Sequence, residues 1–136
     1  MKESQHTEFK QHFNENVIET LVAFANTQGG RVLVGVNDNG LAVGNFTIGK
    51  ESIQNWQNEI KNKTQPSILP DIKIVELNGI EVVEFKIPEY PIKPIACRGK
   101  YFKRVKNSNH QMSLSEISDL YLKTFNLSWD YYIDNQ

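Results

Sequence analysis

The spacing of apolar side chains predicts a first helix near the start of the chain. Apolar residues recur at helical intervals from Val17 to Ala25, and the pattern stops at Gly29-Gly30. Asn16 and Glu19 are placed as a capping box where this pattern begins. We therefore expect a helix from about Asn16 to Asn26.

The same periodicity predicts two more helices. Ile53, Trp56 and Ile60 indicate one from about Ser52 to Lys63, and Pro66 prevents its continuation. The last helix begins with a second capping box, in the segment "SLSE". Its expected apolar stripe consists of Leu114, Ile117, Leu120, Tyr121 and Phe125.

Alternating apolar segments predict the strands. The segment "RVLVGVN" is apolar on both faces, which is typical of a strand buried on two sides. "NDNG" then predicts a hairpin turn and "LAVGNF" the returning strand. "DIKIVEL" and "IEVVEFKIP" flank Asn78-Gly79, a dipeptide typical of tight hairpins. Two shorter strands, in "KPIAC" and "KYFKRV", are joined across Arg98-Gly99.

These elements predict an α+β single domain. We expect a mixed or antiparallel sheet of about five to six strands, packed with about three helices. The length of 136 residues suits one domain, and Cys97, the only cysteine, excludes an internal disulfide. No apolar run reaches the roughly 18 residues of a membrane span, and the polar start lacks a signal-peptide core. We therefore expect a cytoplasmic location and no membrane partner.

Positive charge is concentrated in one segment, although the formal net charge of the chain is only -1. No acidic residue occurs from Tyr90 to Ser115. The cations of this segment are Lys93, Arg98, Lys100, Lys103, Arg104 and Lys106. In a regular strand Lys100, Phe102 and Arg104 share one face, where cations can bind phosphates and an aromatic ring can stack on a base. The alternative is an edge strand that its lysines protect from aggregation.

Three other sequence features give weaker evidence for a binding site. The glycines of "NTQGGRVLVG" do not match a dinucleotide-binding loop. "GNFTIGKE" fits G-x-x-x-x-G-K, but Glu51 stands where the loop needs Ser or Thr, so a turn before a helix is favoured over ATP binding. Glu3, His6, Glu8 and His12 lie close together near the start; taken alone, solvated charges are favoured there over a metal site.

Several segments, in the same order, resemble the Schlafen AlbA-like domain. They are "ESQHTEFK", "AFANTQGGRVLVGVNDNG", "NEIKNKTQPSILP", "YPIKPIACRGKYFKRVKNSNHQMS" and "SEI", which extend from Glu3 to about Tyr121. The most specific patterns are E-S-x-x-x-E-F-K and A-F-A-N-T-x-G-G followed by G-V-x-D. The resemblance implies an α+β nucleic-acid-binding domain, found in many bacterial regulators and in the core of animal Schlafen proteins. The domain was once grouped with divergent ATPases.

The resemblance also implies an enzymatic alternative. Some Schlafen members are metal-dependent endoribonucleases acting on transfer or ribosomal RNA, and their carboxylate triad corresponds here to Glu3, Glu8 and Asp38. Such a site would hold Mg²⁺ or Mn²⁺, which can polarise a phosphate. The animal nucleases build their groove from two lobes, so a single lobe would need to form a homodimer, the expectation we favour, or to use further segments. Many bacterial members carry the same carboxylates and are described only as DNA-binding.

A domain boundary follows from the same resemblance. Residues 1–125 correspond to the Schlafen AlbA-like domain, and residues 126–136 to the start of a following region. The segment "LSWDYY" resembles the beginning of an ATP-binding-like region, which a winged helix follows in the bacterial proteins.

Our sequence-based hypothesis is a nucleic-acid-binding domain of a bacterial transcriptional regulator, with DNA favoured over RNA. The residues expected to bind nucleic acid are Arg98, Lys100, Phe102, Lys103, Arg104 and Lys106. The alternative is an endoribonuclease that acts on structured RNA through Glu3, Glu8 and Asp38. A third possibility is an oligomerisation or small-ligand module whose basic strand binds an acidic partner.

Overall fold

Three helices and two four-stranded sheets make up the fold over residues 2–43 and 48–134, which a computed structural model describes. In chain order the elements are β1 (Thr7–Lys10), α1 (Glu15–Asn26), β2 (Gly30–Val34), α2 (Lys50–Lys63), β3 (Thr64–Gln65), β4 (Asp71–Leu77), β5 (Ile80–Ile87), β6 (Ala96–Cys97), β7 (Lys100–Val105), β8 (Ser108–Gln111) and α3 (Leu114–Asp134). The predicted α+β class is confirmed. In this part of the chain no helix has the length and apolar character needed to cross a membrane.

The first sheet is mixed and has the strand order β1-β2-β5-β4. β1 runs parallel to β2, while β5 is antiparallel to both β2 and β4. The predicted hairpin between β4 and β5 turns at Asn78 and Gly79, whose φ angles are 54° and 79°. Two successive positive φ values define the tight turn that matches strand twist, which is why this dipeptide was informative.

The second sheet is antiparallel and has the order β3-β6-β7-β8. Its β6–β7 hairpin turns at Arg98 and Gly99, as predicted, again with positive φ angles of 51° and 79°. β1, β3 and β8 were not predicted, because they are short and have no apolar alternation. The domain therefore has eight strands in two sheets over the described residues, where the sequence indicated about five to six strands in one sheet.

α1 packs between the sheets and supplies much of the apolar core. The Asn26 side chain at its end is buried and binds backbone groups of the β6–β7 region. Asn26 Nδ2 donates to the carbonyl oxygens of Ile95 and Phe102, both at 2.9 Å, and Asn26 Oδ1 accepts from Ile95 N at 2.7 Å. Thr27 Oγ1 accepts from Arg104 N at 2.9 Å. The A-F-A-N-T segment thus joins α1 to the second sheet.

The glycine pair that follows α1 has a packing role. A Cβ atom on Gly30 would lie 2.8 Å from the carbonyl oxygen of His6 and 2.8 Å from the Phe24 ring. Gly29 adopts a φ of 75°, which L side chains rarely adopt. These glycines allow the chain to turn closely from α1 into β2, so they do not form a phosphate loop.

The predicted capping box of α3 is confirmed, but its apolar stripe is packed only in part. Ser113 N donates to Glu116 Oε1 at 3.1 Å, and Glu116 N donates to Ser113 Oγ at 3.2 Å. Ile117 and Leu120 are half-buried. In contrast, Leu114 is 79% exposed and Phe125 is 63% exposed, so the expected packing of the whole stripe is wrong.

The turn after β2 is present, and part of the segment beyond it lies outside the described residues. Val36 and Ala42 form an antiparallel bridge, and Asn37 Oδ1 accepts the backbone N–H groups of Asn39 and Leu41. The structure does not describe residues 44–47, which include the last three residues of the predicted strand "LAVGNF" and the first four of the motif "GNFTIGKE".

Candidate nucleic-acid interface

The basic strand β7 alternates between an inner and an outer face. Phe102 and Arg104 are buried on the inner face, and Phe102 belongs to the core that α1 forms. Tyr101 and Lys103 are half-buried on the outer face, and Val105 is exposed. The predicted alternation is therefore present, but the face that carries Phe102 and Arg104 points into the domain and not toward a ligand.

Arg104 is bound within the domain, with only 3% of its surface exposed. Its Nη2 atom lies 3.1 Å from Glu8 Oε2, and Nη1 donates to Asn109 Oδ1 at 2.8 Å. The guanidinium carbon is 4.9 Å from the centroid of the Phe24 ring, which adds a cation–π contact. Arg104 Nε is buried without a hydrogen-bond partner. This side chain cannot reach a phosphate in this conformation.

Glu8 is the partner of that guanidinium and is itself buried. Burial, together with a hydrogen bond to the neighbouring Glu3 carboxyl, raises the pKa of Glu8 to about 7, although Arg104 acts in the opposite direction. Lys10 Nζ lies 3.8 Å from the other carboxyl oxygen of Glu8. Glu3 also accepts a hydrogen bond from the backbone N–H of Phe9 at 3.3 Å. The structure thus brings Glu3 and Glu8 together, as the resemblance implied.

Asp38 does not join these two carboxylates in a metal site. It is exposed in the turn after β2, and the described residues include no group of three or more His, Cys, Asp or Glu side chains that could hold a metal ion. Mg²⁺ and Mn²⁺ prefer several oxygen ligands, whereas Glu8 is occupied by a guanidinium. The donor set in this conformation does not fit either ion.

Among the cations predicted to bind nucleic acid, those that remain accessible lie on β7 and its two turns. Arg98 Nη1 contacts Glu15 Oε1 at 3.2 Å, and Lys103 pairs with Glu116 on α3. In the described part of the chain, no carboxylate oxygen lies within 4.0 Å of the ammonium groups of Lys100 or Lys106. Both lysines are exposed, one at the start of β7 and one in the turn after it.

Sequence reasoning missed several residues of this surface. Tyr101 is the aromatic residue of the outer face, where its hydroxyl shares a hydrogen bond with that of Tyr121 at 3.3 Å. The alternation of β7 places Tyr101 on the face opposite Phe102, but only the packing of α1 shows which of the two faces is accessible. His110 lies opposite Lys103 on β8, a strand with no apolar signal. Lys61 and Lys63 lie beside Arg98 only because β3 pairs with β6.

The sequence as a whole matches a known family. A sequence model of the Schlafen AlbA_2 family matches residues 3–113. The chain belongs to the Schlafen AlbA_2 family. This membership confirms the resemblance seen in the motifs and indicates a function related to nucleic acids. No curated protein matches this Schlafen AlbA_2 chain.

A solved structure supports the fold of this Schlafen AlbA_2 domain. The DIP2311 protein from Corynebacterium diphtheriae matches 85% of the chain with a TM-score of 0.67 at 19% identity, and the chain spans 23% of DIP2311. A solution structure from Nitrosomonas europaea matches 80% of the chain at 22% identity, over 82% of its own length, with a TM-score of 0.45. It is the N-terminal domain of a RecG-related protein named as an ATP-dependent DNA helicase. The likeness to DIP2311 shows the fold alone.

Proposed function

We propose that this Schlafen AlbA_2 domain binds nucleic acid through phosphate contacts along the outer side of β7 and its turns. The observation that carries the proposal is the exposure of Lys100 and Lys106 without a carboxylate partner among the described residues. Arg98 and Lys103 extend this surface, each held by one carboxylate. Unpaired surface ammonium groups can displace the counterions of a phosphate backbone, which drives association.

The biological setting of this activity is a further part of the proposal. We propose DNA as the ligand and a bacterial transcriptional regulator in the cytoplasm as the whole protein, with an ATP-binding-like region and a winged helix after residue 125. Family membership and the basic surface support this setting. A homodimer would place two basic strands on one ligand and would raise the apparent affinity through multivalency.

Charge reversal of the two unpaired lysines tests the proposed function. We expect the double variant Lys100→Glu and Lys106→Glu to bind a fluorescein-labelled DNA duplex about tenfold or more weakly in fluorescence anisotropy. The slope of the logarithm of the association constant against the logarithm of the salt concentration should become less negative by about 2, since two phosphate contacts are lost. A labelled RNA duplex of the same sequence, measured in parallel, tests the preference for DNA.

A matched control separates a local effect from a change in net charge. The double variant Lys2→Glu and Lys86→Glu alters the total charge equally at exposed positions outside β7. We expect this control to retain most of the affinity. Unchanged binding in the β7 variant, or an equal loss in both variants, would overturn the proposal.

The geometry agrees with the endoribonuclease alternative only in that Glu3 and Glu8 lie together. It requires Glu3, Glu8 and Asp38 around one cation, whereas Glu8 binds Arg104 and no such three-residue group occurs among the described side chains. Incubating structured RNA with Mg²⁺ or Mn²⁺, beside a Glu8→Gln control, tests it directly. Cleavage by the unaltered domain that the control lacks would establish this alternative.

A further inference from the structure

A polar groove of 580 Å³ lies between the end of α2 and the β6–β7 turn. Its lining includes the cations Lys61, Lys63 and Arg98 and the neutral polar side chains of Asn62, Gln65 and Ser67. None of the described lining residues is aromatic. A second cavity, of 490 Å³, shares Arg98 with this groove, and its lining also includes Glu15, Glu19, Cys97 and Lys100. Arg98 therefore links the groove to the β7 surface to which we assign nucleic-acid binding.

The frame of this groove is fixed by backbone and side-chain hydrogen bonds. Arg98 N donates to the carbonyl oxygen of Lys63 at 3.0 Å, which ties the hairpin turn to the end of α2. Thr64 pairs with Cys97 in the β3–β6 ladder. Ser67 Oγ donates to the carbonyl oxygen of Lys61 at 2.9 Å, so it caps a free group of the helix end. A site on such a frame is in place before a ligand arrives.

Glu15 and Glu59 form ion pairs with cations of the groove. The two carboxyl oxygens of Glu15 contact Lys63 Nζ at 3.1 Å and Arg98 Nη1 at 3.2 Å, and these contacts lower the pKa of Glu15. Glu59 contacts Lys63 at 2.8 Å. Lys61 is exposed, and no described carboxylate lies within 4.0 Å of its ammonium group. The Arg98 side chain remains 64% exposed. Lys61 and Arg98 are therefore the cations most accessible to an incoming anion.

We propose that this groove binds the phosphodiester backbone of the nucleic acid and extends the contact surface from β7 to α2. The inference rests on the proposed function, since it names a second place where the same ligand is held. Lysine and arginine contact the phosphates, and the amides and hydroxyl of the lining donate to phosphate or sugar oxygens. Because none of the described residues that line the groove is aromatic, these contacts carry no base preference.

The single variant Lys61→Glu tests this groove in the full chain. We expect about fivefold weaker binding of the fluorescein-labelled duplex, with an equal fold-loss for two duplexes of unrelated sequence. Lys61→Arg should retain the affinity, because it keeps the charge. Lys86→Glu is the matched control, because it makes the same change at an exposed position on β5 and should leave binding nearly unchanged.

The outcome distinguishes this inference from the proposed function. If the Lys100 and Lys106 double variant binds weakly while Lys61→Glu binds normally, the groove is excluded and the β7 surface stands. If neither change affects binding, both proposals are wrong. A loss in Lys61→Glu that differs between the two duplex sequences would overturn the backbone assignment. Because Lys61 is exposed, circular dichroism is expected to show an unchanged fold.

Discussion

Glu8 and Arg104 contact each other inside the domain, with Glu8 Oε2 3.1 Å from Arg104 Nη2. The resemblance implied that Glu8 is a metal ligand, and the basic strand suggested that Arg104 binds phosphate. The two side chains are 96 residues apart along the chain and join β1 to β7. Their mutual contact partly neutralises both charges, and it leaves the other cations of β7 and its turns for the proposed nucleic-acid surface.

Removing Arg104 should destabilise the fold. Replacement by Met removes the guanidinium that contacts the buried Glu8 carboxyl and breaks the hydrogen bond to Asn109, so we expect a loss of about 3 kcal/mol. Urea denaturation at neutral pH measures this loss. Lys106→Met removes a cation from an exposed turn and should change stability by less than about 0.5 kcal/mol. Equal, small effects in both variants would show that the buried pair contributes little.

The raised pKa of Glu8 predicts a pH dependence of stability. Because the folded-state pKa of about 7 exceeds the ordinary value of 4.5, the folded state binds more protons than the unfolded state between these values. Glu8 therefore makes stability fall as the pH rises from about 4.5 to about 7. The variant Glu8→Gln lacks this titration, so it should gain stability relative to the unaltered domain across that window.

The measurement is the difference between the two unfolding free energies at several pH values. Taking a difference cancels the carboxyl groups that both proteins share. A difference that stays constant with pH, or that changes in the opposite direction, would contradict the raised pKa.

Divalent cations should not stabilise the domain specifically. Since Glu8 pairs with Arg104 and Asp38 lies apart in an exposed turn, Mg²⁺ or Mn²⁺ has no preformed three-carboxylate site among the described residues. We expect the Tm to match that in sodium chloride of equal ionic strength. A rise in Tm that is abolished by Asp38→Asn would show that the carboxylates do assemble around a metal.

Gly30, the second of the two glycines after α1, should tolerate no side chain. Gly30→Ala places a methyl group 2.8 Å from His6 O and the Phe24 ring, and we expect a loss of about 2 kcal/mol in thermal or urea unfolding. Gly49→Ala is the matched control, because a Cβ there meets no atom of the described residues within 4 Å and the φ is -122°. It should change stability by about 0.5 kcal/mol or less. If Gly30→Ala is as stable as this control, the close approach is not required.

Much of the fold could be predicted because its signals are local. The periodicity of α1, the dipeptides Asn78-Gly79 and Arg98-Gly99 and the Ser113 capping box each act within a few residues, and all four occur in the structure. The match to the Schlafen AlbA_2 family likewise follows from the sequence alone. The strands that were missed depend on partners, since β3 and β8 carry no apolar alternation and pair with β6 and β7.

The candidate site was predicted less well because burial is a tertiary property. The sequence determined that β7 alternates and that its segment is basic, but only the packing of α1 decided that Arg104 faces inward and Lys103 outward. The sequence placed Glu8 in a motif, whereas the fold brought Arg104 to it. The sequence alone shows which charged residues lie near one another along the chain. The charged partner that a side chain contacts in the folded domain, and its exposure to water, depend on how the two sheets pack against the helix between them.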